Sequence, residues 1–119
     1  MARILIVDDE PDLRFMMRLI LEGAGYNVTD ARHGASGLKS VKATRPDLVI
    51  TDVMMPTMGG LELIEHLRSD KETAMIPILA VSANSELATA ADAALAKPFL
   101  PIELLGLAGR LIRENRGAK

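Results

Sequence analysis

Cysteine and tryptophan are absent from the 119-residue chain. The missing thiols exclude disulfides, thiolate zinc sites, Fe–S clusters and cysteine nucleophiles. Only three aromatics occur, Phe15, Tyr26 and Phe99, too few for a platform on which bases could stack. Neither sign of charge dominates: 14 basic and 16 acidic side chains leave −2, so bulk electrostatics does not favour nucleic acid. No apolar run approaches the ~18 residues that span a bilayer. The first apolar run, Ile4–Val7, meets an acidic cluster that the core of a secretion signal would not tolerate. The length is that of one domain, typically ~100–150 residues. The expectation is one soluble, cytoplasmic domain over residues 1–119, with no membrane segment.

Short apolar runs alternate with helical patterns along the whole chain. The runs are Ile4–Val7, a weaker Tyr26–Ala31, Leu48–Thr51, Ile76–Val81 and Ala93–Ala96. Continuous rather than alternating apolar residues fit strands covered on both faces of a parallel sheet. Between them, Leu13, Met16, Met17, Ile20 and Leu21 repeat at helical spacing. Pro11 opens this helix, and Gly23 stands where a left-handed end residue is wanted. A second helix over about Ala35–Thr44 turns Ala35, Leu38 and Val41 inward and ends at Arg45-Pro46. A third, about Leu61–Ser69, buries Leu63, Ile64 and Leu67, and the last runs from Pro101 to about Asn115. Five strand–helix alternations predict an α/β domain with helices on both faces of a parallel sheet.

Ligands of such sheets bind outside the carboxyl ends of the strands. Asp8, Asp9 and Glu10 follow the first strand, Asp52 ends the third, Ser82 the fourth, and Lys97 follows the fifth. Converging carboxylates repel one another, and a hard divalent cation with oxygen ligands, Mg²⁺, relieves this. Lys97 is the only basic residue between Lys71 and Arg110. With the Ser82 hydroxyl it completes the parts of a phosphoryl pocket, where positioning and charge neutralisation carry the chemistry. Each residue alone has a plainer reading: Asp8 and Asp9 as helix caps, Asp52 as a turn residue, Ser82 as structural, Lys97 as a solvated charge. Their joint placement at the ends of four strands favours the pocket. His33, in an expected loop, and His66, on the polar side of the third helix, are read as solvated histidines.

Several segments together carry a resemblance to a known family: Ile4-Leu5-Ile6-Val7-Asp8-Asp9-Glu10, Pro46 through Pro56, Gly59-Gly60-Leu61-Glu62, Val81-Ser82-Ala83 and Lys97-Pro98-Phe99. In this order they resemble the receiver domain of two-component response regulators, relatives of the chemotaxis regulators. The resemblance implies a flavodoxin-like (βα)5 fold with strand order 2-1-3-4-5. It implies that Asp52 is the phosphoacceptor, taking a phosphoryl group from a sensor histidine kinase or a histidine phosphotransfer protein. Asp9 would ligate Mg²⁺ (or Mn²⁺) directly, with Asp8 assisting through water and the Met54 backbone carbonyl adding a ligand beside Asp52. Ser82, Ala83 and Lys97 would form the phosphoryl-binding and switch group, and the Lys97–Pro98 peptide would be cis.

Two departures stand out. Relatives carry Tyr or Phe three residues before the lysine, and here that position is Ala94. Ser82 and Lys97 are fifteen positions apart, fewer than in relatives, so a fourth helix of at most about two turns is expected between the fourth and fifth strands. In the last helix Leu104, Leu105, Leu107, Ala108, Leu111 and Ile112 cover about 160° of the wheel, wider than a ~100° core stripe. A well-buried helix is the preferred reading, with a docking edge as the other. The resemblance implies a phosphorylation switch rather than a turnover enzyme. Only Arg116-Gly117-Ala118-Lys119 follow the last helix, so no output domain is expected in this chain, and with neither basic excess nor aromatics no direct contact with nucleic acid is expected. It would signal to a downstream protein, or to a second copy, through the fourth helix, fifth strand and fifth helix. A degenerate receiver that docks partners without phosphorylation is the alternative. An aspartyl phosphatase of the haloacid dehalogenase type would need an acid two residues after Asp52, where Met54 stands.

Overall fold

A computed structural model describes residues 1–54, 58–83 and 90–117. Its strands are β1 (Arg3–Val7), β2 (Asn27–Ala31), β3 (Leu48–Asp52), β4 (Ile78–Ser82) and β5 (Ala93–Ala96). All pair in parallel, in the order β2-β1-β3-β4-β5. The described helices are α1 (Pro11–Gly23), α2 (Gly34–Thr44), α3 (Gly60–Ser69) and α4 (Pro101–Gly117). None of them is long and apolar enough to cross a membrane.

Successive side chains of a strand point to opposite faces, and the apolar runs therefore feed two separate cores. Ile4, Ile6, Leu48, Ile50, Leu79, Val81 and Leu95 pack with Met17 and Leu21 of α1 and with Leu104, Ala108, Leu111 and Ile112 of α4. Leu5, Val7, Val49 and Ile78 face the other way, onto Val41 of α2 and Leu63, Ile64 and Leu67 of α3. A fully buried side chain of this kind contributes about 1.5–3 kcal/mol. Leu105 and Leu107 are partly buried against the α1/α4 core, so the breadth of the apolar arc on the last helix serves packing.

Several local expectations are corrected. Gly23 still belongs to α1, and the left-handed residue is Gly25, with φ of 96°. Met16 is 43% exposed while its neighbour Met17 is buried; one step along a helix turns a side chain by 100°, and only one of the pair can face the sheet. In α2 Val41 is buried and Leu38 packs partly buried beside it, as expected, but Gly34 and Gly37 also face inward and Ala35 is exposed. A Cβ on Gly37 would stand 2.9 Å from Val7, so the helix approaches β1 by lacking a side chain there. His33 lies before α2 and caps it, its Nδ1 accepting the Ser36 N–H at 3.2 Å. The helix expected between β4 and β5 falls on residues 84–89, outside the described residues.

Arg68 of α3 fastens the region where β5 enters. Its guanidinium donates to the carbonyls of Ala74 (2.8 Å) and Ile76 (2.9 Å) and pairs with Asp92 at 2.6 Å. The same Asp92 oxygen accepts the N–H of Ile78, the first residue of β4, at 2.7 Å.

Candidate functional site

The strand order places β1 and β3 side by side, with β4 next to β3 and β5 at the edge. Residues at the carboxyl ends of these strands consequently share one crevice. Asp8 follows β1 and is fully buried; Asp52 closes β3 at 5% exposure; Ser82 closes β4 at 2%. Lys97 follows β5, its backbone N–H donating to the Ser82 carbonyl at 3.0 Å, and the Lys97–Pro98 peptide is cis.

The backbone around Asp52 is tightly built. Thr51 Oγ1 donates to the Asp52 carbonyl at 2.9 Å, and the Met54 N–H donates to the Asp52 carboxylate. Gly60, at the start of α3, lies against the Asp52 carbonyl and the Val53 backbone, where a Cβ would collide, and its N–H donates to the Val53 carbonyl at 2.9 Å. The approach of α3 to the end of β3 is possible only with glycine at this position.

One ammonium serves three carboxylates. Lys97 Nζ lies 3.5 Å from Asp52 Oδ2, 3.7 Å from Asp8 Oδ2 and 3.8 Å from Glu10 Oε1. All three separations exceed the ~2.7–2.9 Å of a charge-assisted hydrogen bond. Asp8 Oδ1 accepts the Glu10 N–H at 2.9 Å, while the buried Oδ2 has no hydrogen-bond partner. Burial pushes the Asp8 carboxyl from 3.8 up to about 6, against the lowering effects of the Glu10 N–H and Lys97. Asp52 is raised as well, by burial above all and by the charge of Asp9, with Lys97 and the Met54 N–H opposing.

Such a site favours a cation. Oxygens of Asp8, Glu10 and Asp52 lie within 4.8 Å of one another, and one ammonium cannot neutralise three carboxylates. An all-oxygen donor set around an orphaned buried carboxylate oxygen fits a hard divalent ion such as Mg²⁺.

The structure thus brings together Asp8, Asp52, Ser82 and Lys97. Asp9 is half-buried; its charge reaches Asp52, but the three clustered carboxylates include Glu10 in its place. The Met54 side chain is 66% exposed, Ala83 is exposed, and Ala94 lies on β5 with its side chain exposed. His66 is half-exposed on α3, 3.9 Å from Glu62. Sequence reasoning leaves Glu10 and Gly60 without a role. Glu10 shares the acidic run that ends β1, and Gly60 the glycine pair before α3, which are the signals that could have found them.

Known proteins share this fold. Residues 4–107 match the response regulator receiver domain family. The DNA-binding response regulator MtrA of Mycolicibacterium smegmatis is 35% identical, over 95% of this chain and 51% of that protein. The chain spans about half the length of the curated relatives it matches. Among solved structures, chemotaxis protein CheY4 of Vibrio cholerae superposes with a TM-score of 0.88 at 34% identity, covering 93% of this chain and 98% of that one. Response regulator TrrA of Thermotoga maritima, solved in complex with Mg²⁺ and BeF, gives 0.86 at 34% identity, covering 93% and 99%. Strand order, the acidic crevice and these likenesses agree: the chain belongs to the receiver domains of two-component response regulators.

Proposed function

We propose that Asp52 accepts a phosphoryl group from a phosphohistidine of a sensor histidine kinase or of a histidine phosphotransfer protein. The observation that carries this reading is the buried Asp52 carboxylate, 3.5 Å from Lys97 and beside the orphaned oxygen of Asp8. A carboxylate oxygen of Asp52 attacks phosphorus; the new P–O bond forms as the P–N bond to the donor imidazole breaks, and the departing nitrogen keeps the electron pair. Asp8, Asp52 and the Met54 carbonyl, with Asp9 or Glu10, would hold Mg²⁺ (or Mn²⁺), which neutralises the oxygens of the group in flight. Lys97 pairs with one phosphoryl oxygen, and the Ser82 hydroxyl donates to another.

The domain occupies residues 1–119 and acts in the cytoplasm as a switch rather than as a turnover enzyme. Its message passes to a downstream protein or a second copy over β5 and the start of α4, where Ala94, Ala96 and Ile102 are exposed. With no aromatic at Ala94, Ser82 and Lys97 carry the switching on their own.

The test is intact-protein mass after incubation with Mg²⁺ and acetyl phosphate, with Asp52→Asn and a metal-free sample alongside. One added phosphoryl group, absent from both controls, is the expected result. A gain that persists in Asp52→Asn overturns the assignment of the acceptor.

A further inference from the structure

The corner between β1 and α1 carries all the acidic residues supplied by the first strand, and its backbone is held from both sides. The Asp8 N–H donates to the Ala31 carbonyl at 3.1 Å. The Asp8 carbonyl accepts Nη1 of Arg14 at 2.7 Å. Arg14 stands in the first turns of α1, where its own N–H donates to the Glu10 carbonyl at 3.0 Å. The same side chain therefore ties the beginning of the helix to the peptide that follows the first residue after the strand.

That peptide joins Asp8 to Asp9. Fixing its carbonyl fixes the direction in which Asp9 leaves the strand and the place of the Glu10 N–H, which in turn anchors Asp8 Oδ1 at 2.9 Å. With Oδ1 held, Oδ2 is left facing Lys97 and the point shared with Asp52 and Glu10. Arg14 is half-buried, and among the described residues it forms no ion pair, unlike Arg18 one turn further on, which pairs with Glu22 and Asp30. Its planar, permanently charged group is used on a neutral carbonyl, the use expected of a geometric brace.

We propose that Arg14 is a positioning residue for the acidic cluster: its guanidinium holds the Asp8–Asp9 peptide so that the buried Asp8 oxygen stays aimed at the cation point. This rests on the reading of the cluster as a Mg²⁺ site. A purely electrostatic role is separable by sign. Removing a positive charge near a cation site tightens cation binding, whereas removing a brace on a ligand loosens it, by about tenfold or more for partners of metal-binding side chains.

The experiment compares wild type, Arg14→Ala and Arg14→Lys by two readouts. Calorimetric titration with Mg²⁺ is expected to show about tenfold weaker binding for Arg14→Ala. Arg14→Lys, which keeps a donor and the charge, is expected to recover most of that loss. In metal-free protein, amide hydrogen exchange at Glu10 is expected to quicken in Arg14→Ala while the amides of Leu5 and Ile6 in β1 keep their rates. Equal or tighter Mg²⁺ binding in Arg14→Ala, or an unchanged Glu10 amide, overturns the proposal. Wild type that takes up no Mg²⁺ would count against the metal site instead, and the exchange readout would still decide the role of Arg14. Should Arg14→Ala not fold, Arg14→Gln, with a donor of shorter reach, carries the same comparison.

Discussion

Two ionic clusters sit at opposite ends of the sheet's β4–β5 edge, and they are built on opposite principles. At the amino ends of these strands Arg68 meets Asp92 at 2.6 Å and two backbone carbonyls at 2.8 and 2.9 Å. Asp92 in turn accepts a backbone N–H from β4. At the carboxyl ends Lys97 spreads over three carboxylates at 3.5–3.8 Å, one buried oxygen is orphaned, and two carboxyls are raised by burial. A satisfied cluster with short bonds holds elements together, whereas a cluster left with surplus charge of one sign stores an attraction for something that arrives later. The difference lies in the ratio of donors to acceptors as well as in burial: Asp8 is fully buried, while Asp92 is exposed.

The sharpest way to break the contrast is to neutralise the orphaned oxygen. Asp8→Asn is expected to weaken Mg²⁺ binding by about two orders of magnitude, since a charged ligand is lost, while making the metal-free protein more stable at neutral pH. The sign follows from linkage. The folded protein holds the Asp8 proton more tightly than an ordinary carboxyl does, with a value near 6 against 3.8, so it binds more protons than the unfolded chain between these values. The contribution of Asp8 to metal-free stability is therefore greatest below about pH 4 and falls as pH rises to about 6, by up to about 3 kcal/mol. Urea unfolding at several pH values, with and without Mg²⁺, checks this; Asp8→Asn should flatten the curve, and saturating Mg²⁺ should restore stability at pH 7.

The opposite cluster should answer with the opposite sign. Arg68→Ala removes the donor to two carbonyls and leaves Asp92 with only the Ile78 N–H, and is expected to cost about 2 kcal/mol in urea unfolding. The folded fraction should still gain one phosphoryl group from acetyl phosphate. A variant that stays stable yet loses phosphorylation would dissolve the distinction between the two ends.

Glu10→Gln refines the comparison with the smallest effect. Glu10 is mostly exposed and 3.8 Å from Lys97, so stability should change by no more than a few tenths of a kcal/mol. Mg²⁺ affinity should drop severalfold if Glu10 is a ligand and stay unchanged if Asp9 takes that place, and calorimetry distinguishes the two.

Much of this was legible in the residues because it rests on local pattern. Ile4–Val7, Leu48–Thr51 and Ala93–Ala96 lie within strands of the structure; the first two are buried on both faces, as continuous apolar runs suit, whereas on the edge strand only Leu95 is buried. The acidic and basic residues at the strand ends point to one shared crevice, and the structure brings Asp8, Asp52 and Lys97 together there; that the crevice takes a phosphoryl group is the proposed reading. What stayed hidden depends on close approach between distant segments. Gly34 and Gly37 turn inward where Ala35 was expected, because a pattern of large apolar side chains cannot register a helix that packs through the lack of them. Gly60 owes its role to the Asp52 backbone, eight positions away in sequence, and Glu10 enters the cluster through a side-chain direction that spacing does not encode. Strand order came through resemblance; alternation alone is compatible with other orders.

The four residues of β5 include three alanines, only Leu95 is buried, and the strand is bonded to the sheet on one side, through β4. Local opening costs least where few apolar groups are buried and pairing is one-sided. The single ammonium that balances the crevice is thus mounted on the sheet's most weakly anchored strand. Opening of this edge would therefore carry the Lys97 ammonium away from Asp8 and Asp52 together, and whatever strengthens its grip on those oxygens would also hold the edge closed.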